Sequence, residues 1–160
     1  MDADNTHDPQ YVYSMIEKAK AESLDCVIAS RYRKFSRVVG VPAFRNFLSF
    51  GARLYYTAVL RVKNVRDYTC GYRLYSHSII RKAFSLYGDR FVSERSFACM
   101  MEILYKLYCI GGRFGEVPFE LRYDFKLGES KMKIANTVFS SLKTAMKLRL
   151  QTRKIRKPSI

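Results

Sequence analysis

The 160-residue chain is short of several things, and each shortage narrows its chemistry. It has two histidines, His7 and His77, and none of its four cysteines, Cys26, Cys70, Cys99 and Cys109, lies within a C-x-x-C pair. A zinc site wants clustered thiolates and imidazoles, so zinc is not expected and the thiols are expected to stay reduced. No run approaches the roughly 18 to 20 apolar residues that cross a bilayer. The acidic, polar first residues do not read as a signal peptide. The expectation is a soluble or peripheral chain on the cytoplasmic side. Repeats and low-complexity segments are absent, and the Gly128, Ser130, Lys131 loop lacks the spacing of a nucleoside-triphosphatase P-loop.

Acid is the other shortage. Fourteen Asp and Glu stand against 29 Lys and Arg, a net charge of +15. Such a balance suits polyanions: nucleic acid, an anionic membrane surface or phosphorylated substrates. What is plentiful is apolar residues, at 48%, enough for one domain with a real core.

Asp8-Pro9 reads as a helix start, with Val12, Ile16 and Ala19 on one face. "DCVIASRY" is an apolar run of strand length, and helix followed by buried strand favours a layered α/β fold. A helix rich in aromatics is expected from Pro42 to about Lys63. "CGYRLY" reads as a strand, and Ser76 as the cap of a helix that stops near Gly88. "RSFACMMEILYKLYCI" reads as a helix ended by Gly111-Gly112. "RFGEVPFELRYDF" alternates like a strand, with Pro118 tolerable only at an edge or bend. The expected division is 1–131 as catalytic portion and 132–160 as a basic amphipathic helical tail.

Five places hold groups that can do chemistry. Asp2 and Asp4 point to one side of an extended chain, where hard oxygen donors suit Mg2+ or Mn2+; spacing alone favours a solvated terminus. In "DYTCGYRLY", strand alternation puts Asp67, Thr69, Gly71 and Arg73 on one face, either to orient a sugar or phosphate or as an edge salt bridge. Arg45, Ser49 and Arg53 follow one another at helical turns, a phosphate clamp or simply a solvated basic face. "KLGESK" can wrap a phosphate. Glu102 is an acid in an apolar helix, either exposed or buried with a partner.

In their order, "MDADNTHDP", "ASRY", the Arg45–Ser49 helix, "DYTCGYRLY", "MMEI", "GEVPFELRYD" and "GESKM" resemble the family 2 glycosyltransferases, in the dolichol-phosphate (polyprenol-phosphate) mannosyltransferase-like branch. The resemblance covers nearly the whole chain. It implies the C-terminal portion of a glycosyltransferase A-type, Rossmann-like α/β fold with a basic C-terminal helix. It also implies transfer, with inversion, of a sugar from a nucleotide-sugar such as GDP-mannose or a UDP-sugar to a polyprenyl phosphate.

By the resemblance, Asp2 and Asp4 match the metal-binding acids, and Arg31 a position near the donor diphosphate and metal. Arg45 and Ser49 match the pair that binds the lipid phosphate, and Asp67, Thr69, Gly71 and Arg73 the acceptor-side motif. Thr6 stands where many relatives carry a glutamine that helps hold the metal. For a further phosphate contact the chain offers Arg122, Lys126 or Lys131. In the family the acidic motif ends a strand deep within the domain, so the expectation is a chain without its nucleotide-binding half and with impaired activity, either a truncated gene product, a fragment, or one with a misplaced start.

The expected partners are then a nucleotide-sugar, a polyprenyl phosphate and a membrane surface, but not nucleic acid. Along the tail, Ile134, Val138, Leu142 and Met146 recur at helical spacing, either to lie in a membrane interface or to pack on the core. The rival reading is a non-catalytic basic module that binds a membrane surface, or nucleic acid through its 12 Tyr and 11 Phe.

Overall fold

The computed structural model describes residues 6–96, 98–125 and 134–155. Asp2, Asp4, Lys126, Gly128, Ser130 and Lys131 lie outside the described residues, as do the side chains of Ile134 and Val138. The architecture is mixed α/β.

The first helix, α1 (Tyr11–Ala21), begins beyond Asp8-Pro9, with Gln10 as its N-cap and no side-chain cap. The turn that leads into it is shaped by Asp8. Its carboxylate accepts the Gln10 N–H at 2.9 Å and its carbonyl accepts the Tyr11 N–H at 3.4 Å. The buried face of α1 is Val12, Met15 and Ala19, with Ile16 at its margin. The chain then enters β1 (Cys26–Ser30), which is buried from end to end. Strand β1 is the centre of a three-stranded sheet in the order β3-β1-β4. It runs parallel to β4 (Phe114–Pro118) and antiparallel to β3 (Arg73–Tyr75). A parallel neighbour on one side explains why β1 is apolar on both faces.

Pro118 is a bend. Proline gives no N–H to a ladder, and the chain leaves β4 there to form β5 (Glu120–Arg122) in a second sheet. Strand β5 pairs in parallel with β2 (Arg37–Val39), an element the sequence pattern does not announce. Phe119, between the two sheets, is buried against His7, Tyr11 and Tyr72 in edge-on contacts. After β2, Gly40 has a positive φ of 77°, and a Cβ there would come within 2.8 Å of the Asp124 backbone nitrogen. Only glycine lets the two chains pass so closely.

The long aromatic helix, α2 (Ala43–Leu60), ends at Arg61 in the left-handed conformation. Ser76 caps α3 (His77–Tyr87) by accepting the Ile79 N–H, and Gly88 ends that helix. Helix α4 (Cys99–Cys109) starts later than its sequence suggests. The reason is Glu102, which is only 2% exposed. Its carboxylate takes the N–H groups of Ser93 (2.9 Å) and Glu94 (2.8 Å), the Ser93 hydroxyl and the Lys106 ammonium (2.7 Å). Those N–H groups are thereby held in the irregular segment ahead of the helix. Glu102 is a buried, partnered acid and not an exposed one.

Helix α5 (Ile134–Ile155) packs on α2 and α4. Its inner face is Ser141, Thr144, Ala145 and Leu148, whereas Met146 is 43% exposed. The stripe through Leu142 and Met146 is therefore offset from the face that packs. Hydrogen bonds decide the rotation: Tyr56 meets the Ser141 hydroxyl at 2.7 Å, and the Tyr55 hydroxyl donates to the Leu142 carbonyl at 3.2 Å.

Candidate functional site

The side chains that can act on a ligand gather where β1 ends. Arg31 follows the last residue of β1, and its fork closes on Asp67. Nε donates to Oδ2 at 2.8 Å and Nη2 to Oδ1 at 2.7 Å. The Arg31 backbone N–H donates to Oδ2 at 3.1 Å, and Nη2 also reaches the Thr69 hydroxyl at 2.7 Å. Planar fork against planar carboxylate is the strongest form of ion pair. Asp67 is fully buried. Burial alone would raise its carboxyl, but the charge and hydrogen bonds of Arg31 outweigh burial and hold it below the ordinary carboxylate value. Arg31 in turn stays charged against its own burial because Asp67 is beside it. Its Nη1 donors are uncommitted among the described residues.

The segment around Asp67 corrects the sequence expectation of a strand. Residues 67–70 form a turn, closed by Asp67 itself, whose Oδ1 accepts the N–H groups of Thr69 (3.3 Å) and Cys70 (3.0 Å). Strand alternation therefore does not apply before Arg73. Asp67 and Thr69 meet Arg31, but Arg73 turns into the core. Its guanidinium donates to the carbonyls of Met100 (2.6 Å) and Tyr68 (2.9 Å). Arg73 thus braces the turn from behind instead of joining Asp67 and Thr69 at its front.

Glu116, in the middle of β4 and opposite Ile28 on β1, was not singled out by sequence. Its Oε1 accepts the N–H groups of Arg66 (2.6 Å) and Asp67 (2.7 Å), and Oε2 pairs with Arg33 Nε at 2.9 Å. The sheet thereby fixes where Asp67 begins its turn. Burial pushes the Glu116 carboxyl above its ordinary value, against the pull of those N–H groups and of Arg33. The available signal was an acid inside the apolar run "FGEVPF".

Tyr32 links this cluster to α2. Its hydroxyl donates to the Ser49 carbonyl at 3.1 Å. The Arg31 guanidinium carbon lies 5.4 Å from the Tyr32 ring centre, and that of Arg53 lies 4.8 Å from it. Arg45 lies 5.5 Å from the Tyr123 ring. Arg122 faces two acids, Asp124 at 2.7 Å and Glu120 at 3.3 Å, so its charge is matched locally. The other α2 face is apolar and exposed: Phe44 is 68% and Phe47 73% exposed, with Phe50 and Leu54 alongside.

The segment that follows Asp2 and Asp4 is anchored. Thr6 and His7 are buried, the His7 ring stacks on Tyr72 at 5.3 Å, and the Tyr72 hydroxyl donates to the Asp8 carbonyl at 3.0 Å. Among the described residues no group of three or more His, Cys, Asp or Glu is placed to hold a metal.

The sequence profile of a family described as Glycosyl transferase family 2 matches residues 1–84. The chain is also 30% identical over 152 residues to a dolichol-phosphate mannosyltransferase of Pyrococcus furiosus, an alignment covering 92% of this chain and 39% of that relative. The chain therefore spans well under half the length of the relative it matches.

Proposed function

This chain belongs to glycosyl transferase family 2, and on that premise we propose that it transfers a sugar from a nucleotide-sugar, GDP-mannose or a UDP-sugar, to a polyprenyl phosphate, inverting the anomeric centre. In this reading the fold is part of a glycosyltransferase A-type domain. The observation that carries the proposal is the two-sided character of α2. Arg45 and Ser49 sit on the flank turned toward Tyr123 and Tyr32, while Phe44, Phe47 and Leu54 are exposed on the other side. A phosphate on a hydrocarbon tail needs both surfaces.

The acceptor is already an anion, so it needs placement more than deprotonation. Arg45 and Ser49 bind its phosphate. Arg31 is held rigid by Asp67 and Thr69, and its uncommitted donors oppose charge that develops on the departing nucleoside diphosphate. A cation fixed before the reaction needs no reorganisation during it. Glu116 and Arg73 position the Asp67 turn from the sheet and the core. Lys126 or Lys131 adds a second phosphate contact, in preference to Arg122, whose charge two carboxylates already match. Asp2 and Asp4 are the proposed ligands of Mg2+ or Mn2+, which when bound supplies positive charge to the leaving group.

The exposed aromatic stripe and the net charge of +15 suit the anionic face of a membrane, where each cation contributes about 1 kcal/mol. No helix among the described residues is long and apolar enough to cross one. The proposed place of action is the cytoplasmic membrane surface, with lipid and not nucleic acid as partner. Incubation with radiolabelled nucleotide-sugar, polyprenyl phosphate and Mn2+ is the test. Label is expected in the organic phase, dependent on the metal and, at low acceptor concentration, reduced in Arg45→Ala. Label that stays in the aqueous phase overturns the proposal.

A further inference from the structure

Arg53 is one helical turn beyond Ser49 and two beyond Arg45, on the same flank of α2. Unlike Arg31, Arg33 and Arg122, it has no carboxylate partner and no hydrogen bond among the described residues. It is nevertheless held in place. Its guanidinium carbon lies 4.8 Å from the centre of the Tyr32 ring and 5.6 Å from that of Phe50. Two aromatic faces fix a guanidinium through cation–π attraction while leaving its N–H donors unused. Tyr32 is itself fixed, through its hydroxyl on the Ser49 carbonyl. The other cation on that ring, Arg31, is already neutralised by Asp67. The uncompensated charge at this place belongs to Arg53.

Phe50 completes the picture. Its ring carries Arg53, yet it is about half exposed and belongs to the apolar stripe of Phe44, Phe47 and Leu54. Arg53 therefore stands where the cationic flank of α2 meets its apolar face. We infer that Arg53 is a further binding residue, taking an oxygen of a phosphate joined to a hydrocarbon chain, with Tyr32 and Phe50 as its supports. The inference rests on the acceptor reading above and extends it. A bare phosphate gains only the charge, a prenyl alcohol only the apolar surface, and a prenyl phosphate gains both.

The test is binding of geranyl phosphate to the purified chain by calorimetry, beside inorganic phosphate, geraniol, and GDP with Mn2+. Arg53→Ala is expected to weaken geranyl phosphate about tenfold, the effect of one charge-assisted hydrogen bond, and to leave GDP unchanged. Arg53→Lys is expected to recover part of the loss, since it keeps the charge but not the planar fork. Phe50→Ala is expected to weaken geranyl phosphate and spare inorganic phosphate. Arg53→Gln, close in shape, repeats the measurement if the alanine variant does not fold. Wild-type protein that binds geranyl phosphate while Arg53→Ala and Arg53→Gln bind it equally well overturns the role of Arg53 alone. An equal loss for GDP also overturns it, because the residue then serves the donor. Wild-type protein that fails to bind geranyl phosphate overturns the acceptor reading itself.

Discussion

The Arg31 guanidinium and the Asp67 carboxylate form a two-pronged pair, 2.8 and 2.7 Å long, that joins the end of β1 to the turn before β3. Removing one member strands the other charge in a buried place. Asp67→Asn is expected to lower stability by about 3 kcal/mol, the usual effect of breaking a buried pair from one side. Urea denaturation measures it. The double variant Arg31→Met, Asp67→Leu is expected to be more stable than Asp67→Asn, because neither charge is then left alone.

Glu102 gives a pH dependence with a definite sign. Burial would raise its carboxyl, but Lys106, Ser93 and the N–H groups of Ser93 and Glu94 together hold it below the ordinary value. Its contribution is then fully present above the unfolded glutamate value of about 4.3. It is lost as pH falls through the lower folded value. Melting temperature is expected to drop on acidification from neutral pH, and Glu102→Gln is expected to flatten that part of the curve. An identical acid limb in the variant would show that other carboxylates control it.

Arg45→Ala is expected to raise the acceptor concentration needed for half-maximal transfer about tenfold, with the nucleotide-sugar requirement nearly unchanged. Steady-state kinetics with each substrate varied in turn separates the two. A change confined to the donor would move this helix to the other side of the reaction.

The exposed stripe on α2 is testable without catalysis. Each exposed phenylalanine inserted into lipid is worth about 2 kcal/mol by apolar area. Replacing Phe44 and Phe47 together with glutamate is expected to abolish flotation with anionic vesicles. Flotation equal to wild type would place the membrane contact elsewhere.

Much of the fold was legible because its signals are local. The apolar run of β1, the Ser76 cap, the Gly88 stop and the Pro118 bend each follow from a single residue or a short run of neighbours. Strand β2 was not legible: three residues become a strand only by pairing with β5, far along the chain. The turn at 67–70 looked like a strand because Asp67 bonds its own following N–H groups, a side chain competing with the ladder. Arg73 was grouped with Asp67 for the same reason. The role of Glu116 depends on a loop brought to it by the fold, and the inner face of α5 depends on Tyr55 and Tyr56. Arg31, Arg45 and Ser49 are candidates by motif order alone, while the aromatic rings beside them, Tyr32 and Tyr123, emerge only in three dimensions.

The central claim is that the flank of α2 that carries Arg45, Ser49 and Arg53 is the site for a lipid phosphate. Arginine side-chain NMR during titration with geranyl phosphate tests it most directly. The Nε–H signals of Arg45 and Arg53 are expected to move together with a single affinity, and to stay still when geraniol is added. Shifts confined to a distant arginine, such as Arg90 beside the cavity between α4 and α5, or no shifts at all, would contradict the account.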